Sequence, residues 1–109
     1  MNIIRQSRDY TKKELYQIAH NKHTSLKDVP TDCILHMTDF VQYEDDKNTQ
    51  VLVMFVSEGD TTTTVSTTSP TAIRCLAEAV EFFESSILDL GLRRSTSKAG
   101  RTFMTLEVI

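Results

Sequence analysis

Four cationic side chains stand within nine residues near the end of this 109-residue chain, and no acidic residue lies among them. They are Arg93, Arg94, Lys98 and Arg101. Guanidinium groups bind phosphate bidentately, and a glycine such as Gly100 at a hairpin tip lets the backbone approach a phosphate closely. Phe103 follows, and an aromatic ring stacked on a nucleobase contributes about 1–3 kcal/mol. The segment predicts a hairpin that binds phosphates and bases. Charges that only keep an exposed hairpin soluble are the alternative interpretation.

Three side chains elsewhere extend this candidate surface. Lys12 and Lys13 form a second small basic spot at the start of a predicted helix, where they oppose the helix dipole at a small cost that a bound anion would offset. Tyr43 lies in a predicted strand and offers a second ring for base stacking. Ordinary solvent exposure of the two lysines and half-burial of the tyrosine are the alternatives.

The remaining polar residues form no recognisable catalytic or metal-binding pattern. His20, His23 and Cys33 straddle a predicted helix end and a loop, and no fourth ligand accompanies them. No glycine-rich phosphate loop follows a strand, and the acidic residues cluster mainly in turns. We therefore expect no enzymatic activity, no metal and no cofactor. Cys33 and Cys75 each sit in an apolar pattern, which predicts buried, reduced thiols.

The net charge of −3 is distributed unevenly along the chain. Residues 1–30 carry six Lys/Arg against three acids, residues 31–91 carry two against eleven, and residues 92–109 carry four against one. The acidic total argues against a strongly basic, coat-like nucleic-acid binder, but it allows a local basic groove because charges act over only about 8 Å at physiological salt. No long apolar run and no signal-peptide core follow Met1, so we expect a cytoplasmic protein without a membrane span.

A long amphipathic helix is the strongest structural signal, and we expect it to run from Ser69 to Gly91. Ser69 is a good N-cap, Pro70 suits the first helical position, and Gly91 can adopt the left-handed conformation at the far end. The apolar residues recur at three- and four-residue steps and fall on one face: Ile73, Leu76, Val80, Phe83, Ile87 and Leu90. A helix with such a face needs a hydrophobic surface to cover.

Five strands and one shorter helix surround this long helix in the prediction. The capping-box pattern over Thr11–Glu14 starts the shorter helix, whereas residues 2–10 show no clear period and are expected to be an extended or disordered lead-in. Apolar or alternating runs predict strands over residues 32–43, 50–57, 61–67, 92–97 and 101–108. In the first strand, alternation places Leu35, Met37 and Tyr43 on one face.

The order of these elements is three strands, a helix and a hairpin, which is the connectivity of a five-stranded OB-type barrel. We therefore predict a mostly β, α+β fold that forms a single OB-like domain over residues 1–109 with an N-terminal helical extension. In such a barrel the loop between the fourth and fifth strands lines the oligonucleotide groove. The basic hairpin would occupy that position.

The segment Ser95–Phe103, with the sequence STSKAGRTF, resembles the Ser/Thr-Lys-Ala/Ser-Gly-Arg-x-Phe/Tyr hairpin of small single-stranded-DNA-binding proteins encoded by phages and prophages. The opening Asn2–Arg5 and the segment Thr11–Tyr16 are similar to the start of some of these proteins. The resemblance implies non-specific binding of single strands during phage replication or recombination. It places Lys98 and Arg101, with Phe103, in contact with the DNA.

We therefore expect a cytoplasmic protein of the bacterial host cell that binds single-stranded DNA, with possible partners in a homodimer or higher oligomer and among replication and recombination proteins. The alternative hypothesis is a phage-encoded module that modulates a host protein without binding nucleic acid. Its acidic middle would then meet a basic partner, and its Thr-rich strand would pair edge to edge with a second copy.

Overall fold

The computed structural model describes all 109 residues, which form one seven-stranded sheet and two α-helices. In chain order the elements are β1 (Asn2–Gln6), α1 (Lys12–His20), β2 (Thr24–Ser25), a 3₁₀ turn (Leu26–Asp28), β3 (Ile34–Glu44), β4 (Gln50–Glu58), β5 (Thr61–Thr67), α2 (Pro70–Phe83), β6 (Leu88–Thr96) and β7 (Thr102–Val108). The mixed α+β class, rich in strands, is as predicted. The number of strands is not: the lead-in that was expected to be extended or disordered contains the paired strand β1, and β2 adds a short strand beside β5.

The long strand β3 is the centre of the sheet, which has the order β2-β5-β4-β3-β6-β7. One edge of β3 pairs antiparallel with β4. Its other edge is shared, because residues 34–37 pair with β6 and residues 41–44 pair with β1. The pairing path ends at β2 and β7 without joining them, so the sheet curls into a half-barrel rather than the closed five-stranded barrel that was predicted.

A β-bulge in β3 exchanges the two faces of the strand. The register shifts between Met37 and Asp39, opposite Val56 and Phe55 of β4. Since side chains alternate with a period of two, one extra residue moves every later side chain to the opposite face. Met37 before the bulge and Phe40 after it therefore lie in the same core, whereas Tyr43 belongs to another cluster. The prediction that Met37 and Tyr43 share a face is wrong for this reason.

The two faces of the half-barrel bury two separate apolar clusters. The inner face holds the main core of sixteen buried residues, to which α2 contributes Ala72, Ile73 and Leu76. The outer face holds a smaller cluster, in which Ile18 of α1 packs with buried side chains of β3 and β4. This outer cluster includes no residue of β6 or β7. The outer face of these two strands thus lies outside both cores.

Helix α2 is shorter than the predicted helix over Ser69–Gly91. It begins as expected, with the Ser69 hydroxyl accepting a hydrogen bond from the Ala72 N–H at 3.3 Å, but it ends at Phe83. Glu84 takes up the left-handed conformation with φ 52°, which stops the helix. The buried leucines Leu88, Leu90 and Leu92 then alternate along β6. Gly91 consequently lies inside a strand and not at a helix end.

The prediction for the start of α1 is confirmed, whereas the prediction for the cysteines is confirmed only in part. The capping box of α1 is confirmed, because the Thr11 hydroxyl accepts from the Glu14 N–H at 3.1 Å and the Glu14 carboxylate accepts from the Thr11 N–H at 3.0 Å. Both cysteines are free, but Cys33 is exposed and Cys75 is half-buried, so the expected burial of Cys33 is wrong. Neither helix has the length and apolar character that a membrane crossing requires.

Candidate nucleic-acid interface

The basic segment forms a hairpin, as predicted from the sequence. Strands β6 and β7 pair antiparallel from Leu90 opposite Val108 to Thr96 opposite Thr102. The turn is closed by the Ser97 N–H donating to the Arg101 carbonyl oxygen at 2.8 Å. Gly100 within it has φ 81°, a conformation that favours glycine, and no atom lies within 4 Å of where a Cβ would stand. The tip is therefore open to a ligand on the side of Gly100.

Alternation along the two strands sorts the hairpin's side chains between the two faces. Arg93 stands opposite Thr105, and Ser95 stands opposite Phe103; these four share the outer face. The intervening Arg94 lies on the same side as Leu92 and Leu106, whose side chains are buried in the main core. Two arginines that are adjacent in sequence thus point to opposite sides of the sheet.

Arg93 remains accessible on the outer face. Its side chain is 66% exposed, and its guanidinium lies 3.4 Å from the Glu107 carboxylate on the neighbouring strand. An exposed ion pair of this kind contributes about 0–1 kcal/mol, so exchange of the carboxylate for a phosphate costs little. Arg93 is a phosphate-binding candidate held in place by a weak partner.

Arg94 is engaged in holding the fold together. Its Nη2 atom donates hydrogen bonds to the carbonyl oxygens of Lys27 at 2.6 Å and of Val29 at 2.8 Å. These carbonyls belong to the 3₁₀ turn and the residue that follows it. The guanidinium therefore ties β6 to the segment that flanks β5. With its guanidinium engaged by these two carbonyls, Arg94 has a structural role rather than the phosphate-binding role predicted for it.

Lys98 and Arg101 occupy the turn and the approach to β7, and both are exposed. Neither side chain takes part in any of the four ion pairs of the protein. Phe103 follows on the outer face and is half-buried. The hairpin thus carries Arg93 and Phe103 on its outer face, and Lys98 and Arg101 lie exposed in and beside the turn that joins its two strands.

Tyr43 does not belong to this surface. Its residue is only 7% exposed and packs in the outer cluster beneath α1, so it offers no open face for stacking. Burial raises the pKa of its phenol, and the negative charge of Asp45 adds to that rise. Tyr43 also lies near the C-terminal end of β3, whereas β6 pairs with residues 34–37 at the N-terminal end of β3. The expectation that Tyr43 stacks bases beside the hairpin is not met.

Lys12 and Lys13 are exposed in the first turn of α1, and neither forms an ion pair. Lys12 lines a groove together with Tyr43, Asp45 and Asp46 at the far end of β3. The structure therefore does not bring the two lysines to the hairpin. They lie on α1, which covers a different part of the outer side.

Tyr16 is a candidate that the sequence analysis missed. Its residue is 66% exposed, and its ring stacks on that of His20 with centroids 4.1 Å apart. Tyr16 follows Leu15 and falls outside the apolar face formed by Leu15 and Ile18. A tyrosine on the polar face of an amphipathic helix has no core to join, and this signal could have identified it.

The possible metal ligands are used in other ways. His20 stacks on Tyr16, and His23 hydrogen-bonds the Ile18 carbonyl oxygen at 2.7 Å as well as the Thr64 hydroxyl. The protein contains no group of three or more His, Cys, Asp or Glu side chains that could hold a metal ion.

Comparisons of the chain with protein families, with curated proteins and with solved structures give no match.

Proposed function

We propose that the protein is an OB-like domain, opened between β5 and β7, that binds single-stranded DNA without sequence preference. The proposal is supported above all by one juxtaposition. Phe103 stands on the outer face of a hairpin whose unpaired cations Lys98 and Arg101 occupy the tip. Proteins that bind single strands non-specifically combine aromatic rings, which stack on the bases, with cationic side chains, which contact the phosphate backbone.

The opened edge of the sheet leaves this hairpin accessible. In a closed OB barrel the strand equivalent to β7 pairs with the strand equivalent to β5, but here a short β2 and the 3₁₀ turn occupy the place beside β5. Arg94 of β6 holds that segment in place by donating hydrogen bonds to two of its carbonyl oxygens. The hairpin is thereby anchored through Arg94, two residues before the last pair of its ladder, and the turn that carries Lys98 remains exposed.

Charge and shape together favour a single strand over a duplex. The protein as a whole carries a net charge of −3, so long-range attraction to a highly charged duplex is weak. A single strand, in contrast, has unstacked bases that can reach Phe103. We therefore expect base stacking to contribute as much to affinity as the phosphate contacts do.

The test is a titration of fluorescein-labelled dT20 followed by fluorescence anisotropy at low salt, with a duplex of the same length beside it. We compare Arg101→Glu with Arg74→Glu, which makes the same change of charge at an exposed site on α2. We expect the wild-type protein to bind dT20 with a dissociation constant in the micromolar range or below. Arg101→Glu should weaken binding by about tenfold or more, whereas Arg74→Glu should leave it almost unchanged.

Either of two results contradicts the proposal. A flat wild-type titration at low salt removes it altogether. Equal effects of Arg101→Glu and Arg74→Glu would show that only the net charge of the protein matters, and that the hairpin is not a binding site.

A second candidate function is a protein-interaction module, and one observation favours it. Phe82 near the end of α2 and Ile87 in the segment before β6 are 81% and 76% exposed, and the unpaired carboxylates of Glu81 and Glu84 are close to them in sequence. An apolar patch rimmed with acids suits a partner segment with apolar anchors and flanking Lys or Arg. Binding of a Lys/Leu amphipathic peptide that Phe82→Ser abolishes, with no binding of dT20, would favour this function over the first.

A further inference from the structure

We infer that the outer side of the protein carries a second DNA-contact site, a groove beside α1 in which Tyr16 stacks on a nucleobase while Lys12 binds the adjoining phosphate. This inference rests on the proposed function, because it names a further contact for the same single strand. It concerns residues that lie at the opposite end of β3 from the hairpin.

The stacking surface is built into α1. Lys12, Tyr16 and His20 are spaced four residues apart and therefore form one stripe along the helix. The rings of Tyr16 and His20 lie 4.1 Å apart and nearly parallel, with 20° between their planes. His20 also bonds the Tyr16 carbonyl oxygen through Nδ1 at 2.9 Å, which fixes its own ring. One face of the tyrosine is thus supported while its residue remains 66% exposed.

The groove next to this stripe has the size for a base. Its volume is about 500 Å³, and its walls include apolar side chains of Met1, Ile3 and Leu15 as well as Tyr16 and Lys12. An apolar floor with an aromatic wall accepts any base, because every base has a π-face. The ammonium of Lys12 has no carboxylate partner and stands one helical turn from Tyr16, where the phosphate of a stacked nucleotide can reach it.

Two carboxylates restrict how a strand can enter. Asp45 and Asp46 line the same groove on the side of the β3–β4 turn. Asp45 is occupied by the turn itself, since its Oδ1 accepts from the N–H groups of Lys47 and Thr49 at 2.9 Å each. Asp46 is fully exposed and lies 3.8 Å from the N-terminal amine. Phosphates are therefore repelled on that side, and the backbone of the strand must pass on the side of Lys12.

Tyr16 makes no structural contact beyond its stack on His20 that would explain its position. Its side chain belongs to neither apolar cluster, and its hydroxyl makes no hydrogen bond. The other two tyrosines, Tyr10 and Tyr43, are both part of the outer cluster. His20 covers only one face of the Tyr16 ring, and an exposed aromatic face costs solubility, so we assign to Tyr16 the role of binding a ligand that covers its other face.

The test is the anisotropy titration of labelled dT20 with three variants. Tyr16→Ala should weaken binding by about tenfold, since the stacking of one base is lost, and Tyr16→Phe should stay within about twofold of wild type. Phe82→Ala is the matched control, because it removes an even more exposed ring from α2, and it should bind as the wild type does. Tyr16→Ala should leave the salt dependence unchanged, because it removes no charge.

A second measurement uses the unaltered protein. The chain has no tryptophan, so its fluorescence comes from three tyrosines, of which Tyr16 is the exposed one. Saturation with dT20 should quench this emission, and the quenching should be largely lost in Tyr16→Phe.

The outcomes separate the two proposals. Wild-type affinity in Tyr16→Ala, together with weakened binding by Arg101→Glu, overturns the groove and leaves the hairpin standing. Equal loss in Tyr16→Ala and Phe82→Ala also overturns it, because any exposed ring would then matter. Absence of wild-type binding to dT20 overturns both proposals together.

Discussion

The guanidinium of Arg94 donates to the carbonyl oxygen of Lys27 at 2.6 Å, across 67 positions of the sequence. This contact fastens the last hairpin to the 3₁₀ turn that occupies the place beside β5. The next residue back, Arg93, faces the opposite side and meets only Glu107 at 3.4 Å. Arg94 thus ties the hairpin to the 3₁₀ turn, while Arg93 remains available to a ligand.

The first prediction concerns Arg94→Ala. Loss of its two charge-assisted hydrogen bonds, which are partly exposed to solvent, should lower the free energy of unfolding by about 1–3 kcal/mol. Arg93→Ala should change it by about 0.5 kcal/mol or less, as expected for an exposed ion pair. Urea unfolding followed by circular dichroism measures both values. Equal stability of the two variants would contradict the structural role of Arg94.

The second prediction concerns the salt dependence of DNA binding. Each cation that contacts a phosphate of a single strand adds about −0.7 to the slope of log K against log salt. Lys98→Gln should therefore make the slope shallower by about 0.7. Arg94→Gln should leave the slope unchanged, because its guanidinium is engaged with carbonyl oxygens. Titrations of dT20 at several salt concentrations supply the slopes, and an unchanged slope in Lys98→Gln would exclude a phosphate contact at that side chain.

Elements with a local cause could be predicted from the sequence. The capping box over Thr11–Glu14 and the turn around Gly100 each depend on residues within a few positions of one another. Their side chains and backbone satisfy each other whatever the rest of the chain does. The same is true of the exposure of Lys98, which follows from its place in a tight turn.

Features that depend on distant neighbours could not be predicted. The spacing of Phe83, Ile87 and Leu90 fits a helix, while Leu88, Leu90 and Leu92 fit a strand with equal regularity. Pairing with β3 and β7 decides in favour of the strand. The bulge after Met37 contains no glycine or proline from which it could be predicted. The exchange of faces that buries Tyr43 under α1 therefore has no local signal in the sequence.

The residues of the basic hairpin could be identified from the sequence, but their arrangement could not. Four cations and one ring could be identified in the sequence, but alternation along a strand must separate Arg93 from Arg94, and the prediction treated them as equivalent. What Arg94 binds instead could not be foreseen, because the 3₁₀ turn near Lys27 approaches β6 only once the sheet has curled.

The third prediction concerns acid stability. Arg8 bonds the Glu14 carboxylate at 2.7 Å, and this contact, aided by the Thr11 N–H, lowers the pKa of Glu14 from 4.5 to about 2. A carboxyl with a lowered pKa stabilises the fold fully above its unfolded pKa, and the contribution disappears as the pH falls toward the folded value. Glu14→Gln should therefore lower the melting temperature at pH 7 and have a much smaller effect at pH 2, where the folded carboxyl is already about half protonated.

The control for this experiment is Glu78→Gln, which neutralises an exposed carboxylate without an ion pair on α2. It should leave the melting temperature unchanged at both pH values. A Glu14→Gln melting temperature that stays below that of the wild type by the same amount from pH 7 to pH 2 would show that the carboxylate's charge is not the source of the stability.

The fourth prediction concerns Phe103. If its ring stacks on a base, Phe103→Ala should weaken dT20 binding by about tenfold, whereas Phe103→Tyr, which keeps the aromatic face, should bind within about twofold of wild type. Because Phe103 is half-buried, thermal unfolding of both variants must be recorded, and binding is measured well below the lower melting temperature. Phe83→Ala removes a half-exposed ring from the end of α2 and should leave binding unchanged. Phe103→Tyr binding as weakly as Phe103→Ala would show that Phe103 does not act by stacking, and the contribution of the hairpin would then have to come from its cations.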